Sequence, residues 1–289
     1  MTDVARTPAV LVAEACEHAS LPELVVQINL MADDQRHTAD DIGALIGQDP
    51  ALVARLLRLT NSPWFGLSNR VSTVLQAIRT IGTKPLRDLV LASCAVRSFT
   101  GLTNELVPMD DFWYHGLNCA IAARLLARHR RLAHVETLFV AGLLHDVGQL
   151  VLYNRLPEAS REALDLAAAN PHTLEDHQAE RRVHGFDHAR VGGLLLERWN
   201  LAPLIVEAVA RHHSPAGARV FPLEAAMVHL GNVIATMAEL DSIDVNAAPA
   251  IDAGAWKQAG IKSEMLEPLV RETQRQFREA RRLFLAEPA

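Results

Sequence analysis

"AGLLHDVGQL", residues 141–150, sets a histidine and an aspartate side by side at the end of an apolar run. From Leu138 to Leu144 the run is apolar on every side, the pattern of a helix with no solvent face. His145 and Asp146 fall where that helix ends, just ahead of Val147 and Gly148, so both project from a rigid element. A carboxylate at that depth is costly without a partner. The stretch therefore predicts both the centre of a helical core and a functional cluster.

Helix signals continue outward in both directions, and almost none of them brackets an alternating strand pattern, so the expected fold class is all-α. Thr7 with Pro8 opens a first helix and Pro22 a second. Thr38, with Asp41 in the first turn, caps a third. Asp49 with Pro50 starts a fourth, which Asn61, Ser62 and Pro63 stop. Ser72 is expected to cap a helix ending at Gly82, followed by one from Lys84 to Phe99. The polar stretch from Gly101 to Asp111, holding Pro108, is the expected lobe boundary. Beyond it a helix from Asp111 to His129 carries Leu117, Ile121 and Leu125 on one face. Asp187 reads as the cap of a helix running to Trp199, with Phe186 and Val191 at staple spacing. Pro203 opens a helix reaching His212 and His213, and Pro222 opens another to about Leu240. The last helix, Ser263 to Leu285, places Leu266, Leu269, Val270 and Phe277 on one side. Its basic run of Arg271, Arg275, Arg278, Arg281 and Arg282 reads as a solvated face.

The chain has 289 residues, 49% hydrophobic, enough for a sizeable core. The 14 prolines and 15 glycines are too scattered for a fibrous or disordered chain. No apolar run reaches the roughly 18 residues that span a bilayer, and the N-terminus lacks the order of a signal peptide, so a cytoplasmic location with no membrane is expected. A formal charge of −6 disfavours nucleic acid as a partner. Cys16, Cys94 and Cys119 lie far apart in apolar stretches and read as small buried hydrophobes. There is no internal repeat.

Among the 13 histidines, His115, His145, His188, His212 and His213 fall at helix starts or ends, where side chains are held in fixed geometry. With Asp146 they offer the mixed nitrogen and oxygen donors that suit a divalent metal: iron, manganese, zinc or magnesium. One ion is expected, held by His145, Asp146 and His115 or His188. Taken singly, each has a plainer reading. A lone His115 on an apolar face is usually satisfied by a backbone carbonyl, and His212 with His213 would favour the negative end of a helix when protonated. His18, His37, His129, His134, His172 and His177 sit in polar or terminal segments and read as solvated. In "NSPWFGLSNR", residues 61–70, Trp64 and Phe65 could anchor a partner, but packing between lobes is the preferred reading.

The order of His115, His145-Asp146 in "GLLHDVG", His188 in "GFDHARVGGLLLERW" and His212-His213 resembles the HD superfamily of metal-dependent phosphohydrolases. Upstream, "LPELVVQINLM", "QDPALVARLLRLTNSPWFG" and "VLQAIRTIG" resemble the N-terminal half of the HDOD domain, the HD-related output domain of bacterial signalling proteins, and Trp113 and "ERWNLAP" (197–203) also fit. The resemblance covers about residues 15 to 245. It implies a two-lobed helical HDOD fold, with an N-terminal lobe over 1–105 and an HD-like helical bundle plus the amphipathic last helix over 106–289. It also implies a stand-alone signalling or regulatory protein without established enzymatic activity, acting through a partner protein or a nucleotide or other phosphate-containing ligand. In the related HD-GYP phosphodiesterases a lysine stands at the position of Gln149, and the ligand set ends on an aspartate where "MVHLGNVIA" places Asn232. "SPAGARVFP" follows His213, with no Gly-Tyr-Pro motif, so cleavage of cyclic di-GMP is not expected. Asp146 is then the one carboxylate at the matched positions, weak support for two divalent ions. The alternative is a metal-dependent phosphohydrolase, a phosphodiesterase or nucleotidase.

Overall fold

A capping side chain or a proline at the first turn decides where most helices begin. In the computed structural model, which describes residues 6–34, 36–99, 102, 104–171, 173–244 and 249–285, the Thr7 hydroxyl accepts from the Val10 amide. Thr38 and Asp41 form a reciprocal capping box, Asp49 accepts from Ala51 and Leu52, and Asp187 accepts from Arg190. The described residues contain sixteen α-helices and no strand, so the fold is all-α. The N-terminal helices are α1 (Pro8–Ala15), α2 (Glu23–Asp33), α3 (Ala39–Ile46), α4 (Pro50–Thr60), α5 (Val74–Ile81) and α6 (Thr83–Ser98). Then come α7 (Met109–His129), α8 (Val135–Leu143), α9 (Val147–Arg155), α10 (Pro157–Ala168), α11 (Asp176–His184) and α12 (His188–Arg198). The chain finishes with α13 (Pro203–Arg211), α14 (Pro222–Glu239), α15 (Ala253–Ala259) and α16 (Leu266–Phe284).

Some starts differ from expectation; α16, for one, begins at Leu266 and not at Ser263, where a short 3-10 turn stands. Thr73, not Ser72, caps α5, because its hydroxyl faces the Gln76 amide while Ser72 meets the Gln76 side chain. Helix α7 begins two residues before Asp111, at Met109, after Pro108. Helices α9, α10, α11 and α15 have no counterpart in the sequence reading; each is short, at most twelve residues.

Helix α7 is the central post, with α8, α14 and α16 packed around it. Its small residues Ala120, Ala122 and Ala123 are fully buried, and they let α8 approach until a Cβ on Gly142 would lie 2.7 Å from the Ala120 Cα. A continuous apolar core runs from the N-terminal helices into the C-terminal ones. Phe99 stands against both Trp113 and Trp199, with ring centroids 5.7 and 5.1 Å apart. Trp64 is buried edge-on to Phe139 and Phe284, so packing wins over display for this residue. The Arg124 guanidinium lies 3.9 Å from the Trp64 ring centroid, and its Nε donates to both Glu136 oxygens at 3.0 and 3.1 Å. Asn29 donates to the Asn200 carbonyl, a further tie between the two halves.

Cys119 is buried, but Cys16 and Cys94 are only half-buried, at helix positions facing the edge of the core. Contrary to the sequence reading, Val135–Arg155 is long and apolar enough to cross a membrane, and 83% of its most apolar window is buried inside the fold. On α16, Arg271 pairs with Glu267, Arg275 with Glu272, and Arg281 lies over the Tyr114 ring.

Candidate metal centre

The turn between α8 and α9 presents Asp146 to four other elements. A Cβ on Gly148 would lie 2.0 Å from the His188 carbonyl oxygen and 2.6 Å from the Gly192 nitrogen, so only glycine lets α9 and α12 cross this closely. That crossing brings the start of α12 against Asp146. The end of α13 delivers His212 and His213, α7 delivers His115, and α14 delivers Asn232. The six histidine and aspartate residues expected from the sequence do converge. Asp146 Oδ1 lies 3.1 Å from His188 Nε2 and 3.5 Å from His212 Nε2. Asp146 Oδ2 lies 3.1 Å from His145 Nε2 and 3.8 Å from His115 Nε2. His213 Nε2 is 2.9 Å from His188 Nε2. Asp146, His188, His212 and His213 form one set of mutually close donors, and His115, His145 and Asp146 form another.

Proton accounting shows what this cluster is built for. His145 Nδ1 donates to the Gly142 carbonyl at 2.8 Å, and His212 Nδ1 to the Val209 carbonyl at 2.7 Å. His188 Nδ1 donates to Glu180 Oε2 at 2.7 Å. A carbonyl or carboxylate oxygen can only accept, so each neutral ring keeps its bare lone pair on Nε2. Those lone pairs face the oxygens of Asp146. His145 Nε2, His212 Nε2 and Asp146 Oδ1 are buried without a hydrogen-bond partner. Orphaned acceptors gathered at a buried point are unfavourable unless protons or a cation stand between them. The donor set fits a divalent ion, with Nδ1 partners that orient each ring as outer ligands do in metal sites.

The same crowding sets the charges of the metal-free site. Burial opposes the charged form of Asp146, but His145, His188 and His212 together hold its carboxyl well below the usual range. Burial lowers the basicity of His145, and it holds His213 well below the usual imidazole value with the charges of His212 and His188 adding to it. For His188 the burial penalty is overcome by the charge of Glu180 and by Asp146, which raise it well above the ordinary value.

His115 departs from the plainer expectation of a backbone partner. Its Nδ1 meets both oxygens of Glu239 at 3.1 Å and its Nε2 meets Asn232 Oδ1 at 3.0 Å. Burial would lower its pKa, but the hydrogen bond and charge of Glu239, with Asp146, raise it to about 9. Gln149 is engaged elsewhere, accepting from the Tyr153 hydroxyl at 3.3 Å. Glu239 escaped the sequence reading because it acts through a histidine 124 positions away, and Glu180, eight positions before His188 across the α11–α12 turn, because it sits in no motif. With them, three carboxylates surround the site where the sequence suggested one.

Two histidines expected in solvent are not there. His177 is buried, its ring stacked on His213 at 4.0 Å and 9°, because α11 folds back against the end of α13. His134 is half-buried and meets Glu224 at 2.9 Å. His18, His37 and His129 are exposed, and His172 lies outside the described residues.

The model of the HDOD domain family matches residues 19–215. The chain belongs to the HDOD domain family. An uncharacterised protein of Treponema pallidum (strain Nichols) is 27% identical over 195 residues, which cover 67% of this chain and 37% of that protein. The chain thus spans little more than a third of that relative's length. Among solved structures, an HDOD domain protein of unknown function from Geobacter sulfurreducens shares the fold with a TM-score of 0.74 at 24% identity, covering 96% of this chain and 99% of its own. A candidate phosphohydrolase from Shewanella amazonensis SB2B gives the same TM-score and identity over 97% and 99%. A candidate signal transduction protein from Marinobacter aquaeolei VT8 gives 0.67 at 20% identity, over 94% of this chain and 59% of that one.

Proposed function

We propose that this HDOD protein is a cytoplasmic bacterial regulatory module that holds a divalent metal at Asp146 and acts by binding a signalling partner or a small phosphate-containing ligand, without turnover. The observation that carries the metal is the confrontation of the His145 and His212 lone pairs with the Asp146 carboxylate, where both nitrogens and Oδ1 are buried without a hydrogen-bond partner. Two half-sets share that carboxylate: His115, His145 and Asn232 on one side, His188, His212 and His213 on the other. An imidazole-rich set favours iron, manganese or zinc over magnesium, which demands oxygen ligands. The ion would pin α7, the α8–α9 turn, α12 and α13 to one another, so occupancy sets the rigidity of the bundle that a partner meets. Beside His213 an open cleft of about 630 Å³, edged by Arg190 and Arg211 over an apolar floor that includes Leu194 and Val206, offers room for a small anion-bearing ligand. Asn232 keeps one half-set short of a negative charge, which supports holding over hydrolysis.

Elemental analysis of protein purified without chelator tests the metal. At least one equivalent of iron, manganese or zinc is expected in the native chain and a large loss in Asp146→Asn. Equal, trace content in both would end the proposal.

A second reading, a metal-dependent phosphohydrolase, is favoured by one feature: each oxygen of Asp146 faces its own set of imidazoles. A bound ion in such a site supplies an acidified water and a polarised phosphoryl oxygen. Glu180 and Glu239 would keep His188 and His115 oriented towards it. Turnover of bis(p-nitrophenyl) phosphate with Mn2+, lost in Asp146→Asn and raised in Asn232→Asp, would replace the non-catalytic reading.

A further inference from the structure

The cleft beside His213 is charged differently at its two ends. Arg190, Gly193, Leu194 and Glu197 line it from one face of α12, and Val206, Ala210 and Arg211 line it from α13. A Cβ on Gly193 would lie 2.7 Å from the Ala210 Cβ and 3.6 Å from the Val206 carbonyl oxygen, so the two helices touch there. The short link between Arg198 and Pro203 makes them antiparallel neighbours, which puts Arg211 at the Arg190 end. Glu197 stands at the other end, roughly 10 Å along the α12 axis from Arg190. Both arginines are exposed, and neither has a carboxylate in ion-pair range among the described residues. Asp187 is held by Arg181 at 2.6 Å, and the Glu207 oxygens accept from the amides of Arg219, Val220 and Phe221. Arg211 also lies along the Gly217 turn, where a Cβ would meet its Nη1 at 3.5 Å, so this guanidinium has less freedom to lose on binding.

We propose that this cleft takes a nucleoside monophosphate, with the phosphate between Arg190 and Arg211, the base flat on the Gly193–Ala210 floor, and Glu197 accepting from base N–H or ribose hydroxyl groups. The inference rests on reading the chain as a ligand-binding module, and it does not require the metal. Two guanidiniums on facing helices supply the forked donors that a phosphate dianion takes. The close α12–α13 contact leaves a strip of small residues between Leu194 and Val206, a surface that a planar ring covers well. The distance from Arg190 to Glu197 along α12 is about the length of such a nucleotide. A carboxylate at the far end repels further phosphates, so a monophosphate fits better than a triphosphate.

The test is calorimetric titration of the full chain with AMP, GMP, CMP and UMP, each beside its nucleoside and beside inorganic phosphate. At least one monophosphate is expected to bind tighter than about 1 mM. It should bind roughly tenfold or more tighter than its nucleoside or inorganic phosphate, since each of those lacks half of the contacts. Arg190→Gln and Arg211→Gln are each expected to weaken that binding roughly tenfold with an unchanged melting temperature, because both side chains are exposed. Chelator-stripped protein should bind the nucleotide as well as untreated protein does, and this result would stand even if elemental analysis found no metal in the chain. Binding lost on chelation would put the nucleotide on the Asp146 centre and overturn the assignment. So would the absence of binding by all four monophosphates, equal binding of inorganic phosphate, or native affinity in both arginine variants.

Discussion

Replacing Gly148 with alanine should part α9 from α12 and loosen the metal centre at their crossing. The added Cβ would sit 2.0 Å from the His188 carbonyl oxygen and 2.6 Å from the Gly192 nitrogen, both backbone atoms that no rotamer can move. Since Cβ atoms do not approach within 3.0 Å, α9 and α12 must part by about 1 Å. Overpacking of this kind costs about 1–3 kcal/mol. It opposes the gain of about 0.5–1 kcal/mol that alanine brings to a helix interior. The sign is therefore destabilising, the reverse of what helix propensity alone dictates. Asp146 and His188 flank the crossing, and their 3.1 Å separation would open by more than the ~0.2 Å that coordination tolerates. Urea denaturation of chelator-treated protein and Zn2+ titration measure the two effects. Gly43→Ala in α3 is the control, because its Cβ would meet only Ile78 Cδ1 at an ordinary 3.7 Å and should stabilise. If Gly148→Ala proves as stable as Gly43→Ala, with native Zn2+ affinity, the close crossing does not build the site.

Three further outcomes follow from the same coordinates. Glu180→Gln keeps a hydrogen-bonding group beside His188 but removes the charge, and metal affinity measured by competition with a chelator should fall about 10–100-fold; unchanged affinity would deny Glu180 its orienting role. In metal-free protein His115 has a folded pKa of about 9 against an ordinary 6.5, so its contribution to stability is fully present below pH 6.5 and is lost as pH rises through 9. Denaturation midpoints should decline over that window in the native chain and less so in His115→Gln, and parallel curves would contradict the assignment. Arg124→Leu strands the buried Glu136 carboxylate and should cost about 3–5 kcal/mol in chemical denaturation, whereas a cost near zero would show that the pair is relaxed by water.

Individual residues show where the amino-acid sequence sufficed. Proline after a capping threonine or aspartate at residues 7–8 and 49–50, and Asp187 ahead of α12, determined helix starts because capping is local and needs no knowledge of the partner helix. The order of His115, His145, Asp146, His188, His212 and His213 determined the family resemblance and the donor types. Only tertiary structure decided that these donors meet at both oxygens of one carboxylate, that Glu180 and Glu239 orient His188 and His115, and that His177 is buried on His213. The physical reason is range. A cap is satisfied within three or four residues, while Glu239 reaches His115 across 124 positions and becomes its partner through the packing of α14 on α7.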